Sequence, residues 1–186
     1  MTLRRGFKAD AERRAAAFRA QLGRTDYAAV TPDELAEAAG IAIVDAARLV
    51  DIERLEELER IQAFAFSACT FEIEGRRIIV TNPLRVGGRR NSDVAHEFSH
   101  VVLKHELAQL RDLDGAVFRT CEPAEEEEAT ALGGTLLLPR PMLLRAAAQG
   151  MRAAEVAEEY NVTIDMARYR LNTTGVERQM AARRRA

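Results

Sequence analysis

Hydrophobic positions in the first third of the chain follow helical spacing and predict three helices and one strand. The pattern over residues 7–22 predicts an opening amphipathic helix in an Arg/Ala-rich stretch. Residues 31–40 predict a second helix, with Thr31 as the cap, a proline in the first turn and a glycine as the stop. The apolar run 41–44 predicts a buried strand, and apolar residues at every third position over 51–61 predict a third helix.

The hydrophobic period changes in the middle of the chain. Alternating residues over 63–81 predict a β-hairpin that turns at Gly75. The glycines and arginines of 87–90 predict a loop, and Asn91 or Ser92 is then expected to cap a helix.

The last third of the chain is predicted to be helical. A connecting loop containing Gly115 precedes a helix that starts at Pro123 and runs to about Leu138. Two or three short helices follow around Gly150, Asn161 and Gly175, and a basic tail ends the sequence.

Composition places these elements in one compact domain with a small helical appendage. The 186 residues are 47% hydrophobic and 30% charged, which suffices for a buried core. A net charge of −2 argues against a protein that coats nucleic acid through bulk charge. Two cysteines without CxxC spacing, and the lack of a signal-peptide pattern or a long apolar segment, predict a soluble cytoplasmic protein with no membrane partner.

All three histidines fall between residues 96 and 105, and two of them form a His-Glu-x-x-His motif. At about 100° per residue, His96 and His100 share one helix face and can reach one metal ion. Glu97 lies beside them, where it can act on a water molecule. The neighbouring residues are uncharged, as a buried active-site helix requires. The motif therefore favours a metal site over a helix surface on which the histidines and the glutamate are merely exposed.

A catalytic zinc site usually has three protein ligands, and the motif does not identify the third one. His105 would point away from the metal if the helix continues, so it is interpreted as a residue that supports a ligand or lies at the surface. Cys121 could bind the metal, but a lone cysteine is more often a small core residue. One glutamate of the run 125–128 is expected to face inward, because a small-residue helix suited to close packing follows it.

These residues together resemble the ImmA/IrrE family of zinc metallopeptidases. That family shows His-Glu-x-x-His followed by Glu-x-x-Ala-Asn-x-Phe-Ala and an ending like Leu-Leu-Met-Pro. Here Glu126-x-x-Ala129-Thr130 begins 26 residues after His100, and Leu136-Leu137-Leu138-Pro139 follows. The resemblance covers about residues 25 to 175 and includes the segment from Thr31 to Ile41.

The resemblance implies a fold, a ligand set and a domain division. The fold is α+β and zincin-like, mostly helical with a small antiparallel or mixed sheet beside the metal-binding helix. Residues 1–139 form the core, 140–175 a helical, helix-turn-helix-like extension packed on it, and 176–186 a basic tail. His96, His100 and Glu126 are implied as zinc ligands, with Glu125 as the runner-up, and Glu97 as the catalytic base.

The sequence also departs from the family pattern. Thr130 stands where Asn or Asp usually supports a ligand, and Leu132 replaces Phe. Gly133-Gly134 is expected to loosen the helix, since glycine costs about 1 kcal/mol at each interior position.

The resemblance implies a regulatory endopeptidase. Its expected substrate is a separate helix-turn-helix (XRE-type) repressor, whose cleavage relieves repression of mobile-element or stress genes.

The alternative is a DNA-binding or protein-binding regulator with a weak or inactive peptidase site. Residues 151–171 have a helix-turn-helix pattern with Arg168 and Arg170 on its second helix, and 140–186 carries 9 Arg against 5 acids. Two helices packed on the core, or docking the substrate, explain the same pattern, so DNA is the less favoured partner.

Overall fold

A computed structural model describes residues 3–106, 109–113, 116–120 and 122–183. Within these residues the fold is α+β and mostly helical with a small mixed sheet, which confirms the predicted fold class. The α-helices are α1 (Phe7–Gln21), α2 (Pro32–Ala38), α3 (Ile52–Ile61), α4 (Gly87–Leu103), α5 (Pro123–Leu137), α6 (Arg140–Ala148), α7 (Ala153–Glu159), α8 (Ile164–Thr174) and α9 (Val176–Arg183). The strands are β1 (Ala42–Asp45), β2 (Ala68–Ile73), β3 (Arg76–Thr81), β4 (Gln109–Leu113) and β5 (Ala116–Thr120).

The three-stranded sheet lies beside the helix that carries the His-Glu-x-x-His motif. Its order is β1-β3-β2, with β1 parallel and β2 antiparallel to β3, and α4 packs against β2 and β3. Gly75 turns the β2–β3 hairpin with φ +74, as predicted. The hairpin is shorter than predicted, because Phe64 has φ +63 and the extended backbone of β2 begins only at Ala68.

A second, two-stranded sheet lies where the sequence analysis expects a connecting loop. Strands β4 and β5 pair antiparallel from Gln109↔Thr120 to Leu113↔Ala116. That loop prediction is wrong. The signal that could have revealed the hairpin is Asp114-Gly115, because Asp-Gly between alternating residues favours a tight hairpin turn.

Helix α4 also begins five or six residues earlier than predicted, since its N-cap is Val86 instead of Asn91 or Ser92 and residues 87–90 are helical. A Cβ atom at Gly88 would lie 2.5 Å from the carbonyl oxygen of Val162. The glycine therefore permits a close approach between α4 and the α7–α8 turn, and it does not mark a loop.

Asn91 and Ser92, the residues expected to cap α4, bind the α7–α8 turn instead. The Asn91 amide donates to the Asn161 carbonyl at 3.0 Å, and the Thr163 backbone N–H donates to Ser92 Oγ at 3.0 Å. These bonds fix the C-terminal helices against the motif helix.

Two glycines inside α5 have a packing role that the sequence analysis missed. A Cβ atom at Gly133 would lie 2.9 Å from the Ala95 carbonyl oxygen, and one at Gly134 would lie 2.9 Å from Cδ of Arg170. Helix α5 continues through both residues to Leu137. The expected loosening is thus replaced by backbone contact between α4 and α5, one residue from His96.

Two buried arginines bind carbonyl groups at the C-terminal end of α5. Arg19 of α1 donates to Leu137 O at 3.5 Å, and Arg170 of α8 donates through Nε to Leu138 O at 3.0 Å. Arg170 also pairs with Glu12 Oε1 at 2.7 Å. Burial lowers the pKa of Arg19 to about 10 and lowers that of Arg170 as well. Cationic groups at this helix end complement its dipole and its unpaired carbonyls.

Replacing Arg170 by methionine is expected to lower the free energy of unfolding by about 3 kcal/mol, because the change removes a buried cation that binds both Glu12 and the Leu138 carbonyl group. The matched control is Arg168→Met, whose exposed pair with Asp165 should contribute less than about 1 kcal/mol. Urea unfolding of both variants measures the difference. Equal stability of the two variants would contradict the structural role of Arg170.

The C-terminal helices share the main hydrophobic core with α1, α2, α4 and α5. Val156, Ala167 and Leu171 are buried in that core, and so is Val176. The segment 176–186, predicted as a basic tail, therefore contains helix α9 up to Arg183. Among the described residues, no helix combines the length and apolar character that a membrane crossing requires.

Candidate metal centre

Helix α4 places the two motif histidines on one face, as their spacing predicts. Their Nε2 atoms are 3.1 Å apart, and the rings meet edge to face with centroids 4.8 Å apart. His100 is buried, and the side chain of His96 is 26% exposed. The two imidazoles thus point their outer nitrogens at one common position that solvent can reach from the His96 side.

Helix α5 adds Glu126 to the two histidines. Its Oε2 atom lies 3.1 Å from His96 Nε2, and its Oε1 atom lies 3.5 Å from His100 Nε2. Within the described part of the chain, these three residues form the cluster of metal-binding type, and Glu125 is not part of it. Cys121, the other candidate ligand, lies outside the described residues.

The spacing of the three residues fits a zinc ion. Zinc binds imidazole nitrogen at about 2.0–2.1 Å and carboxylate oxygen at about 2.0–2.2 Å, and tetrahedral ligands are then about 3.4 Å apart. The observed separations of 3.1 and 3.5 Å bracket that value, and the potential ligand atoms all lie within 4.8 Å of one another. Two nitrogens and a carboxylate are also a donor set that zinc accepts in catalytic sites.

Glu97, the predicted base, is buried beside the cluster with 4% exposure. The hydroxyl of Thr70 in β2 donates to Glu97 Oε2 at 2.8 Å. The edge strand β2, which packs against α4, therefore orients the carboxylate of Glu97. Thr70 could not be identified as a site residue from sequence, since nothing in its local pattern distinguishes it from other alternating strand residues.

Two further side chains contact the ring nitrogens that face away from the cluster. Thr130 Oγ1 lies 3.4 Å from His96 Nδ1, so the threonine occupies the supporting position where the resemblance expects Asn or Asp. His105 Nδ1 lies 3.0 Å from His100 Nδ1. Each histidine of the cluster is thus contacted on both sides of its ring.

His105 does not lie where a continuing helix would place it. Such a helix would direct His105 away from the metal. Helix α4 instead ends at Leu103, and Lys104 adopts a left-handed conformation with φ +59. The chain therefore turns back, and His105 is buried beside His100 rather than exposed at the surface.

Two cavities open beside the cluster and share Thr130 and Tyr169. The larger cavity, of about 790 Å³, lies among the start of α1, the first turns of α5 and the second half of α8, and Glu126 lines it. The smaller, of about 320 Å³, is lined by His96 and Gly133. Burial raises the pKa of Tyr169, so its hydroxyl stays a donor at neutral pH.

The helix-turn-helix-like segment is built into the protein rather than presented as a basic face. Arg170, one of its two arginines, is 4% exposed and binds Glu12 and the end of α5. Arg168 pairs with Asp165 on the same helix at 2.9 Å. Of the two arginines of α8 that were considered for DNA contact, Arg170 is therefore buried, whereas Arg168 stays 60% exposed in a surface ion pair.

A family model described as the IrrE N-terminal-like domain, Peptidase_M78, matches residues 52–172. The match runs from α3 to α8 and contains all the residues of the cluster, together with Thr70, Glu97 and His105. It does not extend to the segment from Thr31 to Ile41 that the sequence resemblance includes. No curated protein matches the chain.

Proposed function

This chain belongs to the Peptidase_M78 family, a family of peptidases, and from that premise we propose that it is a zinc-dependent endopeptidase of the regulatory type. Its substrate is a separate helix-turn-helix (XRE-type) transcriptional repressor, which it cleaves in the cytoplasm to relieve repression. The observation that carries the proposal is the convergence of His96, His100 and Glu126 beside the buried carboxylate of Glu97.

His96, His100 and Glu126 would hold the zinc ion, since three protein ligands leave one coordination position for a reactant. When bound, Zn²⁺ lowers the pKa of water toward about 7 and polarises a carbonyl group. The remaining chemistry belongs to the side chains around the cluster.

Glu97 is the general base and then the general acid. Its carboxylate accepts a proton as the water oxygen bonds to the peptide carbonyl carbon, and it delivers that proton to the amine nitrogen as the carbon–nitrogen bond breaks. The Thr70 hydroxyl at 2.8 Å holds the carboxylate in one orientation through both steps. The products are a new carboxyl terminus and a new amino terminus.

The two cavities supply room for a polypeptide on the α5–α8 side of the cluster. Volumes of about 790 and 320 Å³ suit a chain segment or large side chains. Tyr169 lines both cavities and is a protonated donor, so it can bind a substrate carbonyl. Tyr160 lines neither cavity.

The test is proteolysis of defined repressors. We would incubate the zinc-loaded protein with each purified helix-turn-helix repressor from the same genome and measure intact masses. One repressor is expected to yield two fragments whose masses sum to the parent plus one water, and a chelator should stop the reaction. Intact masses for the whole panel would refute the proposed substrate class.

DNA binding through α7 and α8 is the second candidate, because residues 140–186 carry 9 Arg against 5 acids. The pairs that Arg168 and Arg170 form within the chain reduce its support. A salt-sensitive shift of duplex DNA, without cleavage of any repressor, would favour this function over proteolysis.

A further inference from the structure

His105 lies directly behind His100, on the side of the ring away from the Glu126 carboxylate. The backbone N–H of His105 donates to His100 O at 3.0 Å, and the two rings meet edge to face with centroids 5.0 Å apart. His105 is 6% exposed. A buried imidazole needs partners for its two nitrogens, and both partners are present here.

The first partner is the other ring nitrogen of His100. The two Nδ1 atoms are 3.0 Å apart, so one of them must carry a proton and the other must accept it. His100 directs Nε2 at His96 and Glu126, and an imidazole that binds a metal through Nε2 carries its proton on Nδ1. His100 is therefore the donor, His105 Nδ1 is the acceptor, and the proton of His105 is assigned to Nε2.

The second partner is Glu128 of α5. Its Oε2 atom lies 3.5 Å from His105 Nε2, and its Oε1 atom forms an ion pair with Arg4 Nε at 2.8 Å. The Glu128 side chain is 16% exposed. A chain of polar contacts thus runs from the segment before α1, through α5, to the end of α4 and the ring of His100.

We propose that His105, oriented by Glu128 and Arg4, is a positioning residue that sets the affinity of the cluster for zinc. An acceptor behind a metal-binding imidazole fixes its tautomer and makes its outer nitrogen more basic, a role usually filled by a carboxylate or a carbonyl. Here a neutral imidazole is placed between the ligand and the carboxylate. The inference rests on the zinc site of the proposed function and adds His105, Glu128 and Arg4 to it.

Zinc affinity, measured by competition with a chromophoric chelator, tests this arrangement without any substrate. His105→Leu removes the acceptor and should weaken zinc binding about 10–100-fold. His105→Asn places an amide oxygen near the position of Nδ1 and should stay within about threefold of wild type. Wild-type affinity in a folded His105→Leu variant would overturn the proposal.

A second pair of variants decides the question even if His105→Leu does not fold. Glu128→Gln keeps the shape of the side chain but removes its charge, and it should weaken zinc binding about threefold to tenfold. Glu106→Gln removes a charge from the exposed residue next to His105 and should leave the affinity unchanged. Equal affinities in these two variants would overturn the role of Glu128 and of the contacts behind it.

The protonation pattern gives a readout that a merely structural role would not produce. Long-range proton–nitrogen spectra of the zinc-loaded protein should show a proton on Nδ1 of His100 and on Nε2 of His105. A proton on Nδ1 of His105 would overturn the assignment. If wild-type protein binds no zinc at all, the proposed function fails, whereas unchanged affinity in the variants refutes only the role of His105.

Discussion

Replacing Glu97 by glutamine is expected to abolish repressor cleavage while zinc remains bound. Glutamine keeps an oxygen that can accept from Thr70, whose hydroxyl lies 2.8 Å from Glu97 Oε2, so the side chain should stay in place. It cannot take a proton from water. Because general-base catalysis contributes about 10²–10⁴-fold, we expect the cleavage rate to fall about 10³-fold or more.

The measurement is the rate of fragment formation at saturating zinc, with zinc content determined on the same preparation. One zinc per chain in both proteins, together with lost cleavage in the variant, assigns the proton transfer to Glu97. Cleavage near the wild-type rate would remove Glu97 from the mechanism. Loss of zinc in the variant would contradict its placement beside the ligands rather than among them.

Replacing Glu126 by alanine is expected to weaken zinc binding more than 100-fold. Its carboxylate oxygens lie 3.1 and 3.5 Å from the histidine Nε2 atoms, so under the proposed function its removal deletes a direct ligand, which should cost more than the 10–100-fold typical of supporting residues. Glu125→Ala is the matched control, since it changes the neighbouring glutamate of the same helix. We expect its zinc affinity to stay within about threefold of wild type.

This pair of variants decides between the two glutamates that the sequence left open. A large loss in Glu125→Ala with little change in Glu126→Ala would exchange their roles. Thermal unfolding of both variants without metal separates loss of the site from loss of the fold.

The part of the site that could be predicted from sequence is the part that depends on one helix. His96, Glu97 and His100 share a face of α4 because of helical spacing alone, and the local pattern contains that information. The choice among four adjacent glutamates depends on how α5 packs on α4, and the sequence pattern without the resemblance could not make it. Glu126 is placed by that packing.

The errors in the sequence reading come from residues that have tertiary roles. Gly88 predicts a loop and Gly133 a loosened helix, but each glycine allows two backbones to approach more closely than a Cβ atom permits. Lys104 has no local signal for a left-handed conformation, and this one residue decides where His105 lies. Thr70 gains its importance only because the sheet edge lies against α4.

The contacts at the end of α5 involve residues that lie outside the segment matched by the family model, so the matched segment and the folding unit are expected to differ in extent. The matched residues 52–172 include Arg170 but neither Glu12, its partner, nor Arg19, which binds Leu137. They also omit β1, which pairs with β3. A fragment cut at the borders of the match would remove the Glu12 partner of Arg170 and leave one edge of β3 without its neighbouring strand, so we expect the smallest autonomous unit to extend back through α1.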